Sequence, residues 1–284
     1  MDEWIEPEMR MLFRLGLWLF LCALVLPAMA QEQIFRVGVA PHTSSRVILE
    51  MYQPLRRHLE QALGVTVQII TAPDFSEFAR RALAQEYDLA ITTGHQARLL
   101  QVDAGYLPQL TYKADFKAVV VVARTGTLRE PKDLKTGSGV VGLSATSLVT
   151  LWGQHWLKNG GVDLPMRYVS AADSVAQLIL NGDASAGFMS QTNFQNLPAD
   201  VQAGLRIIAE SASMAGRVYV LNGRDAPRQK AIDAALWSFA ESESGREYFA
   251  RHKLGGYRKI GPRELESVDA YAAEVRAELK KSDK

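Results

Sequence analysis

Residues 34–39 (IFRVGV) form a short apolar-rich run that stops at Pro41-His42-Thr43-Ser44. Leu49, Tyr52, Leu55, Leu59 and Leu63 then recur at helical spacing, and Gly64 closes the pattern. Residues 65–70 predict a second strand, and Asp74 an N-cap for a helix carrying Phe75, Phe78 and Leu83. Residues 87–92 predict a third strand ending at Thr93-Gly94-His95. This β-α-β-α-β alternation predicts a parallel sheet with right-handed crossovers.

A second alternation follows a β-branched run, residues 117–124 (KAVVVVAR), and a polar stretch over 125–137. It comprises a strand at 140–143, a helix at 147–159, a strand near 167–169, a helix at 173–180 and a strand at 186–189. Residues 217–220 are another β run, after which helical patterns cover 227–240, 243–252 and 262–279. The fold class expected is α/β: two lobes, each with a mixed, mostly parallel sheet, joined by two hinge strands, with helices at the C-terminus. Lobe 1 would comprise residues 31–120 plus 219–284, and lobe 2 residues 121–218. A single α/β domain with a helical tail is the alternative organisation.

The apolar run Val140-Val141-Gly142-Leu143 delivers Ser144, Thr146 and Ser147 to the first turn of a helix. The first N–H groups of a helix lack internal partners and carry partial positive charge, so hydroxyl-bearing residues there suit an oxyanion. The same residues could instead cap the helix, Ser144 or Thr146 accepting from its amides. In open α/β sheets ligands sit beyond the carboxyl ends of strands. That rule places Thr92 opposite this junction, with His95 beside it as an anion donor or a partly exposed loop residue.

Composition removes several function classes. Net charge is +1 with both signs interspersed, so no basic stripe for nucleic acid is present. Residues 15–26 are an apolar run too short to span a membrane, which takes ~20 residues, and Pro27-Ala28-Met29-Ala30 fits a cleavage site before Gln31. Residues 1–30 therefore predict a cleaved signal peptide. The acidic Asp2, Glu3, Glu6 and Glu8 point to a true start at Met9 or Met11. The only cysteine, Cys22, lies in that leader, so the exported chain has no disulfide or cysteine chemistry, which a periplasm tolerates. No metal-ligand spacing and no nucleophile motif occurs, so neither an enzyme nor a cofactor is expected.

Ala72-Pro73-Asp74-Phe75, Tyr87-Asp88-Leu89-Ala90, Asp133-Leu134-Lys135, Ala145-Thr146-Ser147 and VAQLILNG from Val175 to Gly182 occur in the order seen in one family. In these segments the chain resembles the periplasmic substrate-binding proteins of phosphonate, phosphite and phosphate ABC importers, from about Ile34 to Tyr257. The resemblance implies a monomeric, hinge-closing protein that holds a small oxyanion and serves an ABC permease. A periplasmic sensing subunit for a membrane kinase or cyclase, built on the same fold, is the alternative. The family's Ser-Thr-Ser-Gly seat corresponds to Ala145-Thr146-Ser147-Leu148. Phe75 and Thr92 stand where aminoalkylphosphonate binders have tyrosines, and Ala172 where they have a histidine. Thr192 and Arg217 stand where the amine-binding acids would be. The ligand set expected is thus Phe75, Thr92, His95, Ser144, Thr146, Ser147 and Arg217, for an anion that is not an aminoalkylphosphonate.

Overall fold

The computed structural model describes residues 34–134 and 139–282. The leader, its start at Met9 or Met11, and Cys22 lie outside the described residues. The strands are β1 (Ile34–Val39), β2 (Thr66–Thr71), β3 (Leu89–Thr93), β4 (Leu107–Tyr112), β5 (Ala118–Ala123), β6 (Val140–Gly142), β7 (Met166–Tyr168), β8 (Ala186–Ser190), β9 (Leu205–Glu210), β10 (Arg217–Leu221) and β11 (Tyr257–Lys259). The helices are α1 (Ser45–Met51), α2 (Gln53–Leu63), α3 (Phe75–Leu83), α4 (Gly94–Ala104), α5 (Leu148–Asn159), α6 (Ala172–Leu180), α7 (Gln191–Gln195), α8 (Ala199–Ala203), α9 (Gln229–Glu241), α10 (Glu243–Arg251) and α11 (Asp269–Ser282). The single helix expected around residues 49–63 is two. Pro54, in the first turn of α2, cannot donate an N–H to a helix running through it, so the chain breaks at Tyr52.

Two sheets organise these elements. One has strand order β11-β4-β10-β3-β1-β2, the other β7-β6-β8-β5-β9. The β1, β2, β3 and β6, β7, β8 sets pair in parallel through helical crossovers, as the alternation predicts. The remaining five pairings are antiparallel. Both sheets are therefore mixed, and the expectation of mostly parallel pairing is corrected. β5 and β10 each enter their sheet directly from the crossing segments, with no helix before them, and run antiparallel to both their neighbours.

Each long β run belongs to one sheet: β5 lies in the second and β10 in the first. The chain passes between sheets in short segments on either side, near Phe116 and Met214, which pair in an isolated antiparallel bridge. The Met214 amide donates to the Phe116 carbonyl at 2.9 Å.

The first sheet is packed on one face against α1, α2, α9 and α10 around Phe35, Val37, Leu55, Leu59 and Phe239, and on the other around Phe78, Tyr87, Leu100 and Tyr106. The second sheet buries Val119, Val121, Val175 and Ile179 on one face, and Val120, Leu157 and Phe188 on the other. A fifth cluster joins Ala79 and Leu99 of the first lobe and Ala272 and Val275 of α11 to Leu151 of α5. The terminal helix therefore clamps the helix that opens at Leu148. Gly153 of α5 lies so close to Phe188 that a Cβ would stand 2.3 Å from the ring, which draws α5 tightly onto β8.

Phe188→Ala leaves a cavity under α5 and is expected to cost about 3–5 kcal/mol of unfolding free energy by urea titration. A loss below about 1 kcal/mol would contradict this packing.

Candidate functional site

The strand ends converge as the sheet topology requires. Because β3 runs parallel to β1 and β10 runs antiparallel to β3, Arg217 at the start of β10 pairs with Thr93 at the end of β3. In the second lobe, Leu143 follows β6 and Ser190 ends β8. These termini line a cavity of about 70 Å³ between the lobes. A cavity of this order has room for a small ligand, since one water needs only about 10–15 Å³. Phe75, Thr92, Ser147 and Arg217 line it, together with His42, Thr93, Tyr112, Asp115, Leu148, Val149, Thr192 and Asn193. Ser144 instead lines a neighbouring groove with Pro73, Asp74 and Tyr168.

His95 and Thr146 are in neither, and they do something else. The His95 ring is fully buried, and its Nε2–H donates to the Thr146 carbonyl at 2.9 Å, from the first lobe to the second. The Thr146 hydroxyl pairs with that of Ser76 at 3.0 Å, again between lobes. Both were expected at the ligand; here neither lines the cavity, and each is engaged between the lobes. The reason is geometric: the strand-to-helix turn points Thr146 at α3 and α4 while Ser147 faces the cavity. Burial pushes the His95 imidazole down to about 4, the Thr146 carbonyl opposing this only in part. Its Nδ1 is buried without a partner. On the far side, His155 of α5 meets Glu274 of α11 at 2.6 Å, so the lobes are joined both at the cavity and behind it.

Ser147 is the N-cap residue of α5, yet its side chain makes no capping bond. The capping alternative, which placed Ser144 or Thr146 there, does not describe this helix. Thr150 donates its hydroxyl proton to the Leu143 carbonyl, so Ser147 must donate to Thr150 Oγ1, at 2.8 Å. Thr92 is committed in the same way. Gln96 Nε2 donates to the Phe75 carbonyl, which turns Gln96 Oε1 toward Thr92 to accept its hydroxyl at 2.9 Å. Both residues line the cavity with their hydroxyl protons already given away. Donors in the lining include the α5 amides at Leu148 and Val149, ahead of the first intrahelical bond, the Arg217 guanidinium and the unpartnered Thr93 hydroxyl.

Arg217 has no carboxylate within ion-pair distance among the described residues; its guanidinium contacts Met51 Sδ at 4.0 Å and lies beside the Tyr52 hydroxyl. Burial disfavours its charge, but the Tyr52, Tyr112 and Tyr248 hydroxyls outweigh that and it stays cationic. Behind it, Tyr257, Tyr219, Tyr112 and Tyr248 form a chain of hydroxyl bonds of 2.7–2.8 Å. Burial holds Tyr112, Tyr219 and Tyr248 well above the ordinary tyrosine value, so that wall is neutral. Asp115 is the one carboxylate in the lining, and it accepts from Ser213 at 2.9 Å.

Sequence reasoning missed Gln96 and Ser76 as partners of the site. A signal existed for Gln96, four residues after Thr92 across a strand-to-helix turn. Among the described residues no cluster of metal-ligating side chains occurs, and no helix is long and apolar enough to cross a membrane.

Residues 37–265 match the family described as the periplasmic substrate-binding protein of phosphonate ABC transporters. Among solved structures, PhnD1 from Prochlorococcus marinus MIT 9301, in complex with methylphosphonate, superposes with a TM-score of 0.76 at 15% identity, covering 87% of this chain and 99% of that one. A chloride-bound protein from Xanthomonas citri gives 0.71 at 20% identity, covering 86% and 99%. A binding-protein component of a phosphonate ABC transporter from Pseudomonas aeruginosa gives 0.69 at 13%, covering 89% and 100%.

The His95–Thr146 bond sets a pH response. His95 binds a proton in an opened, solvated form near the ordinary value of ~6.5 but only near 4 when closed. Acid therefore favours opening: the His95 contribution to ligand affinity is level above pH ~6.5 and falls below it by up to about tenfold per pH unit. His95→Gln makes that fall shallower, because His42 and His252 are also held below their ordinary value. An identical pH profile by isothermal titration would contradict this role.

Proposed function

The chain belongs to the periplasmic substrate-binding proteins of phosphonate ABC transporters, and from that premise we propose that it captures a small phosphonate-like oxyanion between its lobes for import. One observation carries this reading. A guanidinium without a carboxylate partner stands in the wall of a small cavity that also holds the first turn of α5. An anion there takes charge-assisted hydrogen bonds from Arg217 and the amides of Leu148 and Val149. Phe75 and Leu143 leave an apolar side for a short alkyl substituent.

Closure is a hinge motion about the paired crossings near Phe116 and Met214. Ligand favours it because only the closed form brings α5 and Arg217 to the same anion. The His95–Thr146 and Ser76–Thr146 bonds then hold the lobes together. Recognition of the closed form by a permease completes uptake, and the transporter character of the family favours this over sensing. Residues 1–30 would direct export to the periplasm and be removed.

The relative from Prochlorococcus marinus supplies the first ligand to test, methylphosphonate. By isothermal titration, methylphosphonate is expected to bind and 2-aminoethylphosphonate is not, since Arg217 repels its ammonium. Arg217→Gln is expected to weaken binding about 10- to 100-fold, the worth of a hydrogen bond to a charged group. Tight binding of the aminoethyl compound, or an undiminished affinity in Arg217→Gln, would sink the proposal.

A further inference from the structure

The cavity's donors and acceptors are unevenly distributed, and the acceptors have no use for a fully deprotonated anion. His42 lies in the loop after β1. Its ring Nδ1–H donates to the Ala40 carbonyl at 2.9 Å, which fixes the tautomer. The opposite nitrogen, Nε2, therefore offers a lone pair, and it is buried with no partner. His42 forms part of the cavity wall with Arg217 and Thr92. The groups acting on it from neighbouring elements are Arg217 of β10 and His252 beyond α10, with the Tyr52 ring edge-on at 6.3 Å. Burial and the Arg217 charge both oppose protonation of the imidazole. It meets a ligand as an acceptor.

Thr92 adds to this. Its only proton is given to Gln96, so toward any further partner its Oγ1 can only accept, and Thr92 lines the same cavity. Two lining residues of the first lobe, His42 and Thr92, thus each carry an atom that can only accept, in the same lining as the cation. A tetrahedral oxyanion with every oxygen deprotonated would place negative oxygens against these lone pairs. An anion that keeps one hydroxyl gives a donor to the acceptors and its charge to Arg217 and α5. A buried acceptor left unpaired is costly, which is how a site built for a hydroxyl rejects the analogue lacking one.

We infer that the cleft selects its ligand in a protonated form, a P–OH group donating to His42 Nε2 beside Thr92 Oγ1 while the remaining oxygens take Arg217 and the α5 amides. This rests on the oxyanion reading above and adds to it a requirement for a hydroxyl on the anion. His42 becomes a specificity-determining residue.

Methylphosphonate and methanesulfonate make the test. Both are methyl-bearing tetrahedral monoanions, and only the phosphonate carries a hydroxyl. By isothermal titration at pH 6.5, the native chain is expected to prefer methylphosphonate by about 100-fold or more. Its affinity for methylphosphonate is expected to fall as rising pH removes the ligand's last proton. His42→Phe keeps the ring and removes the acceptor, and is expected to shrink the preference about tenfold or more. Thr92→Val, a near-isosteric change, should shrink it in the same direction and serves if His42→Phe lowers the melting temperature. Comparable affinity of the native chain for the two ligands would overturn the inference while leaving the oxyanion reading in place. So would a preference unchanged in both variants. If neither ligand binds, both readings fall together.

Discussion

The Arg217 guanidinium is a partly buried positive charge in the cleft between two lobes, and the architecture around it leaves it without a counter-charge among the described residues. β10 runs antiparallel to β3, which puts Arg217 at the rim where the parallel strands end. Neutral tyrosines back it, the only carboxylate in the lining is engaged by Ser213, and the neighbouring histidines are held uncharged. A cation in such a setting is costly unless something anionic joins it. An anion that also reaches the α5 amides must touch both lobes, so the electrostatic need of one residue becomes a force for closure.

Closure in turn depends on a few direct contacts. Thr146 is engaged through its carbonyl by His95 and through its hydroxyl by Ser76. On the opposite side α11 grips α5 through Leu151, Val275 and the His155–Glu274 pair. The helix whose first turn lines the cavity is thus held by the other lobe both at its start and along its length. Lobe contact and cavity lining are adjacent in sequence: Thr146 bonds to the first lobe, and Ser147 lines the cavity.

Much of the fold was legible because β-α-β units announce themselves through alternating period and clear punctuation. β4, β9 and β11 were not. β4 carries Pro108 and pairs through a register shift, β11 has only three residues, and β9 is defined by its pairing to β5 more than by its own pattern. At the site, the residues that end strands were readable, and Thr92, Ser147 and Arg217 do line the cavity. The direction of His95 was not, since a histidine in the first turn of a helix can face a ligand or the other lobe with the same sequence. Nor could the sequence reveal that the Thr92 and Ser147 protons are already given away. That depends on Gln96, Phe75, Thr150 and Leu143, brought together only by the fold.

The central claim is that an anion at Arg217 and α5 closes the lobes. With no cysteine beyond the leader, paired labels can be placed at Leu49→Cys on α1 and Leu180→Cys on α6, exposed positions in opposite lobes. The distance between them, measured by pulsed electron spin resonance, is expected to shorten and narrow to one population on saturation with methylphosphonate. In the Arg217→Gln background the same addition should leave the distribution broad at that ligand concentration. A native-chain distribution that saturating ligand leaves unchanged would contradict the account.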